Sequence, residues 1–306
     1  MKEQYNREYS SERALSETAE QIAEIFRKVR TRRYLVHMIP NTVSAALCAD
    51  GLASLGARPL MAVAPEEMPE IVSQADGCVI NLGQLTKEKQ KAARLVLEQG
   101  ARLGKPLALD PVGCGASQFR MQAVQELLDM PWQGILKGNR SELYSIQQGR
   151  LTREGIDSLE EHSLTSRIPP GRIYLATGKT DEILWESGSI QIPRKTAGCW
   201  NIVGTGCLTG AVTGACCCAA AELAKESSES SHNTEEKSGR AAEDLSEKSL
   251  SPLKLAAISA SLAMAFALEQ AGKAEGYGTA KSALLNALGQ LSEKSFLHWL
   301  AHTYLR

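Results

Sequence analysis

The sequence predicts an α/β fold with a mostly parallel central sheet and helices on both faces. Three observations carry this reading. Short apolar runs alternate with stretches of helical periodicity across the 306 residues, most runs are bounded by Gly, Pro, Asp or Asn, and polar residues gather just past their carboxyl ends. Apolar runs this short and this continuous are strands buried on both faces. Strand, helix, strand in repetition requires right-handed crossovers, hence parallel pairing.

In chain order, the first element is an amphipathic helix from Ser11 to Arg30, with Leu15, Ala19, Ile22, Ile25 and Phe26 on one face. Strands follow at Tyr34–Ile39, Gly77–Leu82, Pro106–Leu109, Gly134–Leu136 and Ile173–Ala176. Helical periodicity occupies Val43–Leu55, Lys87–Leu103 and Ser141–Gln148 between them. Ile183–Trp185 and Ser189–Ile192, joined by Glu186-Ser187-Gly188, form an antiparallel hairpin at the sheet edge. Two core helices, Leu208–Lys225 and Pro252–Gln270, close the pattern. Between them, Glu226–Ser251 is crowded with Ser, Glu and Lys and has few large apolar residues, so it is expected to be a solvated or disordered insertion in one domain spanning residues 1–306.

Composition narrows the function. A net charge of −1 with no basic stripe in either half speaks against nucleic acid and anionic membrane as partners, leaving a small neutral or anionic ligand. The start Met1-Lys2-Glu3-Gln4-Tyr5 has no apolar leader, and no uninterrupted apolar run is expected to approach the roughly 20 residues a bilayer requires, so a cytoplasmic protein is expected. The eight cysteines contain no Cys-x-x-Cys pair. Cys216, Cys217 and Cys218 would point about 100° apart on a helix, which excludes convergence on one metal and makes them small buried hydrophobes. His298 and His302 have a metal-compatible spacing but lack the Glu of a zinc-protease helix, so they read as a surface pair.

The chemistry concentrates in Ile202-Val203-Gly204-Thr205-Gly206-Cys207-Leu208, a Gly-rich loop opening a small-residue helix with a thiol in its first turn. Unpaired backbone N–H groups and the helix dipole make such a start an anion cradle for a transferring phosphoryl group. Other polar groups stand at strand exits: Asn41, Asp110-Pro111-Val112-Gly113, Lys137-Gly138-Asn139-Arg140-Ser141-Glu142 and Thr177-Gly178. Ligands of open parallel sheets bind there. Asp110 and Glu142 are hard oxygen ligands of the kind magnesium accepts while keeping its waters. Cys207, whose thiol a helix N-terminus is expected to acidify, is placed to accept an alcohol proton. Gly178-Lys179-Thr180 does not close a P-loop, because the required earlier Gly position is Ile173.

Taken together, Val36-His37-Met38-Ile39-Pro40-Asn41, Gly56-Ala57-Arg58-Pro59-Leu60-Met61-Ala62, Asn81-Leu82-Gly83-Gln84-Leu85, Asp110 to Ser117, Lys137 to Leu143, Thr177-Gly178 and Gly204-Thr205-Gly206-Cys207 resemble the hydroxyethylthiazole kinases of the ribokinase-like superfamily, from about Tyr34 to Leu291. The final Cys discriminates most, since related kinases usually carry Asp there. The resemblance implies a ribokinase-like fold and ATP-dependent phosphorylation of 4-methyl-5-(2-hydroxyethyl)thiazole in thiamine salvage. It further implies that Met61 and Gly204 contact the thiazole with Asn41 nearby, that Lys137 (usually Arg) and Thr177 bind ATP, and that Asp110 and Glu142 organise Mg2+. Cys207 would be the base, and a homotrimer with sites at subunit interfaces is implied as well. Pro40, Val203 and Asn201 depart from the family pattern, where Thr, Thr and a basic residue are usual, and they bear on which alcohol is accepted. A ribokinase-like kinase for another alcohol, such as a hydroxymethylpyrimidine, and a non-catalytic nucleotide or thiazole sensor are the competing readings.

Overall fold

A computed structural model of the chain describes residues 2–151, 163–165, 167–194, 202–235 and 250–305. Its eight strands form one sheet: β1 Leu35–Ile39, β2 Arg58–Leu60, β3 Gly77–Asn81, β4 Leu107–Asp110, β5 Gly134–Asn139, β6 Arg172–Thr177, β7 Thr180–Trp185 and β8 Gly188–Pro193. The order is β2-β1-β3-β4-β5-β6-β7-β8. The first six strands are parallel, and β7 and β8 are antiparallel. The predicted fold class stands. Because the chain leaves β1 toward one edge for β2 and returns on its other side for β3, the topology switches at the β1/β3 crevice, where open parallel sheets hold ligands.

Ten helices among the described residues cover the sheet: α1 Lys2–Arg32, α2 Ala45–Leu55, α3 Met68–Gln74, α4 Lys87–Arg102, α5 Gln118–Leu128, α6 Arg140–Gln148, α7 Thr205–Glu235, α8 Pro252–Gly272, α9 Tyr277–Gln290 and α10 Glu293–Thr303. One face packs on α3, α4, α5 and α6 through Ile80, Leu97, Leu109, Leu127 and Leu143. The other packs on α7 and α8, with α1, α2, α9 and α10 outside them. That burial on every side explains why α7 and α8 lack an apolar stripe. Ala211, Val212, Ala215 and all of Cys216, Cys217 and Cys218 are buried. Both helices are long and apolar enough to cross a bilayer, yet neither is an uninterrupted apolar run of that length and most of each is buried core.

Several boundaries differ from the expected ones. Strand β2 was not anticipated, being three residues of which the first is exposed. Strand β5 runs three residues past Leu136 because Lys137, Gly138 and Asn139 continue the ladder with Leu175, Ala176 and Thr177. Lys137 and Asn139 are therefore strand residues and not loop residues. The hairpin is tighter than expected, with Gly188 paired to Trp185 so that only Glu186 and Ser187 turn. Helix α7 continues to Glu235, ten residues into the segment expected to be solvated. Lys28 of α1, buried beside it, donates to Glu222 at 3.2 Å and Glu226 at 2.7 Å. Residues 236–249 and Cys199 lie outside the described residues.

Candidate active site

Strand periodicity builds the floor of the site. Successive side chains alternate faces, so Val79 and Asn81 on β3, Ala108 and Asp110 on β4, Ile135 and Lys137 on β5, and Leu175 and Thr177 on β6 all point to the α7 side. The apolar member of each pair joins the core beneath α7. Its polar partner lies at the carboxyl end of the same face, where α7 packs over β3, β4 and β5 and α8 over β6. The register sets Asn81 against Asp110 and Asn139 against Thr177.

At the centre, Asp110 Oδ2 accepts from Asn81 Nδ2 at 3.0 Å and from Lys137 Nζ at 3.3 Å. Asp110 and Lys137 are both buried. Asp110 Oδ1 is also buried and has no hydrogen-bond partner among the described residues. Glu142 sits at the start of α6 in a capping box: Asn139 Oδ1 accepts from Glu142 N at 2.8 Å and Glu142 Oε2 accepts from Asn139 N at 2.7 Å. Its Oε1 accepts from Gly113 N at 2.8 Å, tying the β4 exit to the β5 exit.

Asp110 thus holds the Lys137 ammonium directly, while Glu142 is close enough to feel both charges. Burial, and then the neighbouring Asp110, push Glu142 up to about 7. Burial raises Asp110 against the pull of Lys137 and Asn81. Burial works against the Lys137 ammonium too, but Asp110, Glu142 and Cys207 outweigh it and hold the ammonium above its usual range. A site with one cation too few, a carboxylate oxygen without a partner and only oxygen donors suits Mg2+, which takes one or two protein carboxylates and keeps waters. Among the described residues no cluster of three or more His, Cys, Asp or Glu offers an all-protein cage. Asp110 and Glu142 would thus fit a hydrated magnesium ion.

Helix α7 supplies the roof. Gly204 precedes it at φ +91°, a left-handed conformation that favours glycine, and a Cβ there would lie 2.8 Å from Ser44 Cβ. The close approach packs the first turns of α2 and α7 together. A Cβ on Gly206 would lie 3.3 Å from Lys137 Nζ, so the cationic end of Lys137 meets the N–H groups of the first turn of α7. Cys207 follows, buried, with Ser44 and Asn81 near its thiol. Here the structure corrects the sequence reading. Burial first, and then the Asp110 charge, push this thiol up, outweighing Ser44, Lys137 and Asn81. The helix terminus does not acidify Cys207 enough to make a resting thiolate.

The remaining predicted residues flank this centre. Asn41 spends its Oδ1 on Val43 N at 2.9 Å in a turn, and its Nδ2 lies over Gly83, where a Cβ would approach to 2.2 Å. Met61, half-buried beyond β2, packs on the core. The adjoining Ala62 carbonyl is held by His37 Nε2 at 3.1 Å. Thr177 closes β6, its hydroxyl donating to Gly138 O at 3.3 Å. Five strand spacings separate β2 from β6, about 24 Å at the usual interstrand distance. Met61 and Asn41 thus stand at the β2/β1/β3 end of this row of strand exits and Thr177 at the β6 end. Sequence reasoning did not single out Asn81 and Ser44. Asn81 was recoverable, since it ends an apolar strand at the same face parity as Asp110.

A sheet of this order, with carboxylates and a lysine at strand exits under a Gly-rich helix start, defines a small-molecule kinase of the ribokinase-like fold. A ribokinase-like superfamily protein from Enterococcus faecalis shares the fold, with a TM-score of 0.50 at 12% identity over 85% of this chain and 87% of that one. Residues 26–253 match the hydroxyethylthiazole kinase family, and the chain belongs to it. It is similar to a hydroxyethylthiazole kinase of Alkaliphilus metalliredigens, 32% identical over 203 residues that cover 64% of this chain and 75% of the relative. The solved hydroxyethylthiazole kinase of Pyrococcus horikoshii superposes with a TM-score of 0.67 at 29% identity, over 92% of this chain and 96% of that one. Membership of this family favours neither the pyrimidine-alcohol kinase nor the non-catalytic sensor.

Proposed function

We propose that the protein transfers the γ-phosphoryl group of ATP to the primary hydroxyl of 4-methyl-5-(2-hydroxyethyl)thiazole, in thiamine salvage in the cytoplasm. The observation that carries this reading is the convergence of Lys137 and Asp110 on the first turn of α7, which carries Cys207. Phosphoryl transfer depends chiefly on positioning and charge neutralisation, because its transition state is loose. Magnesium held by Asp110, with Glu142 nearby, would neutralise phosphate charge. Lys137 and the N–H groups of Gly206 and Cys207 would hold the phosphoryl oxygens, and Thr177 would lie along the nucleotide. Met61, Asn41 and Gly204 would border the thiazole. Cys207 would hydrogen-bond the acceptor hydroxyl, and its minor thiolate form would take that proton, becoming the neutral thiol, as the phosphoryl arrives on the oxygen.

A homotrimer with sites at subunit interfaces fits the exposed apolar residues beside the site. Val43, Val63 and Val203 are 64%, 50% and 62% exposed beside Asn41, Met61 and Gly204, a surface that a partner copy would cover. A panel of alcohols with purified protein, ATP and Mg2+ tests the activity. The expected result is phosphorylation of the hydroxyethylthiazole at least about tenfold faster than of a hydroxymethylpyrimidine, since a pocket shaped for one ring discriminates by more than about 1.4 kcal/mol. Equal rates, or turnover of the pyrimidine alone, reject the assignment.

The segment beyond α7 enters no step of this chemistry. From Gly206 to Glu235 the helix advances about 1.5 Å per residue, placing its far end about 44 Å from the cradle. We therefore treat 1–306 as one kinase domain in which residues 236–249 are a dispensable insertion. Replacing 236–249 with a short Gly/Ser linker is expected to leave the melting temperature and turnover within error of wild type, because loop length costs little entropy. Glu222 and Glu226 stay in place in that variant, preserving their ion pairs with Lys28. Loss of activity or of oligomer on replacement would show that the segment docks on the core.

A further inference from the structure

Helix α4 opens with a residue that helix energetics disfavours. Thr86 is its N-cap, accepting from Lys89 N at 3.1 Å, so Lys89 is the third helical residue. A cation in the first turn opposes the helix dipole, and among the described residues no carboxylate pairs with Lys89. Lys89 reaches across the strand exits instead. Its Nζ donates to Pro40 O at 2.8 Å and to Gly83 O at 2.5 Å. Burial and the nearby Arg120 lower its pKa, so the charge is held there against both desolvation and a like neighbour.

Gln84 works on the same loop from the other side. It has φ +52°, one of only two non-glycine positive φ values among the described residues. Strain of this kind persists where the surroundings require it. Its Oε1 accepts from Thr42 N at 3.2 Å and from the Thr42 hydroxyl. Between these attachments Asn41 Nδ2 lies on Gly83. The loop after β1 and the loop after β3, the two walls of the switch-point crevice, are thus joined by one ammonium and one amide.

We propose that Lys89 and Gln84 form a clamp that fixes the loop Pro40–Thr42 against Gly83, making them positioning residues for the acceptor alcohol and not for the nucleotide. The inference rests on the proposed kinase reading, in which the β1/β3 crevice receives the alcohol. It accounts for a lysine at a helix start and for the strained Gln84.

The test compares wild type with Lys89→Met, Lys89→Arg and Gln84→Gly, varying the thiazole alcohol and ATP separately. Lys89→Met is expected to raise KM for the alcohol about tenfold, the size expected for losing charged hydrogen bonds to a loop, with KM for ATP changed less than about twofold. Lys89→Arg should recover most of the loss, since a guanidinium also serves two carbonyls. Gln84→Gly relieves the left-handed strain, so a purely local turn would tolerate or favour it, whereas the clamp predicts a severalfold rise in alcohol KM. Amide exchange of residues 36–47 should quicken in Lys89→Met while α4 itself stays protected. Equal rises in both KM values, or unchanged exchange over 36–47, overturn the clamp. If wild type does not phosphorylate the thiazole alcohol, the kinase assignment falls, and the exchange comparison still decides whether the clamp exists.

Discussion

Replacing Asp110 with Asn is expected to lower turnover about 10²- to 10³-fold, the usual cost of losing one preorganised electrostatic group, while leaving the fold nearly as stable as wild type. The asymmetry follows from its two oxygens. Asn can keep the acceptor that Asn81 and Lys137 use, and its amide nitrogen takes the place of Oδ1, which has no partner among the described residues. What the variant loses is the charge, and with it the proposed hold on magnesium. Steady-state rates across magnesium concentrations, read beside thermal melting, check this. A rate equal to wild type removes Asp110 from the metal site. The same variant alters the pH dependence of stability. Because Glu142 is raised to about 7, the folded metal-free protein binds more protons than the unfolded chain between the ordinary carboxylate range and about 7. Wild-type stability without metal should therefore fall as pH rises through that window. In Asp110→Asn the fall should be shallower, since one source of the Glu142 shift is gone.

Cys207→Ala is expected to reduce turnover about 10- to 100-fold without abolishing it, at or below the lower end of what a general base contributes, because a loose transition state needs little proton removal before the phosphoryl moves. Cys207→Asp should retain or exceed wild-type activity, since Ser44 and Asn81 already flank that position and a carboxylate fills it in related kinases. The pH profile separates a proton acceptor from a packing residue. A thiol raised above its ordinary value is mainly protonated at neutral pH, and its thiolate fraction grows about tenfold per pH unit below its pKa. Wild-type turnover should climb between about pH 7 and 9 with no plateau, whereas the Ala variant should be flat. Thiazole-dependent ADP formation by the three proteins provides the comparison. An Ala variant matching wild type at every pH beside an inactive Asp variant would make Cys207 a packing residue.

The parallel sheet, the strand-exit positions of Asn41, Asp110 and Thr177, and the cradle before Cys207 were legible in the sequence because they depend on local rules. Strand periodicity sets which side chains share a face, Gly-rich turns mark helix starts, and parallel topology sends polar residues to the carboxyl ends. Other features depend on segments far apart in the chain. The β5 boundary was missed because Lys137-Gly138-Asn139 is polar, and only pairing with β6 keeps it in the ladder. Short strand β2 and the extension of α7 rest likewise on neighbours, β1 in one case and Lys28 of α1 in the other. The thiol of Cys207 shows the difference most clearly. Its place in the first turn of α7 is a property of the sequence and argues for a lowered pKa. Its actual state is set by α2, β3, β4 and β5 closing around it, and removing water from a charge is a long-range sum that no local motif contains. Lys89 behaves the same way. The sequence determined that a lysine would occupy the third position of a helix, and tertiary structure alone decided that Pro40, 49 positions earlier in the chain, would lie within reach of its ammonium.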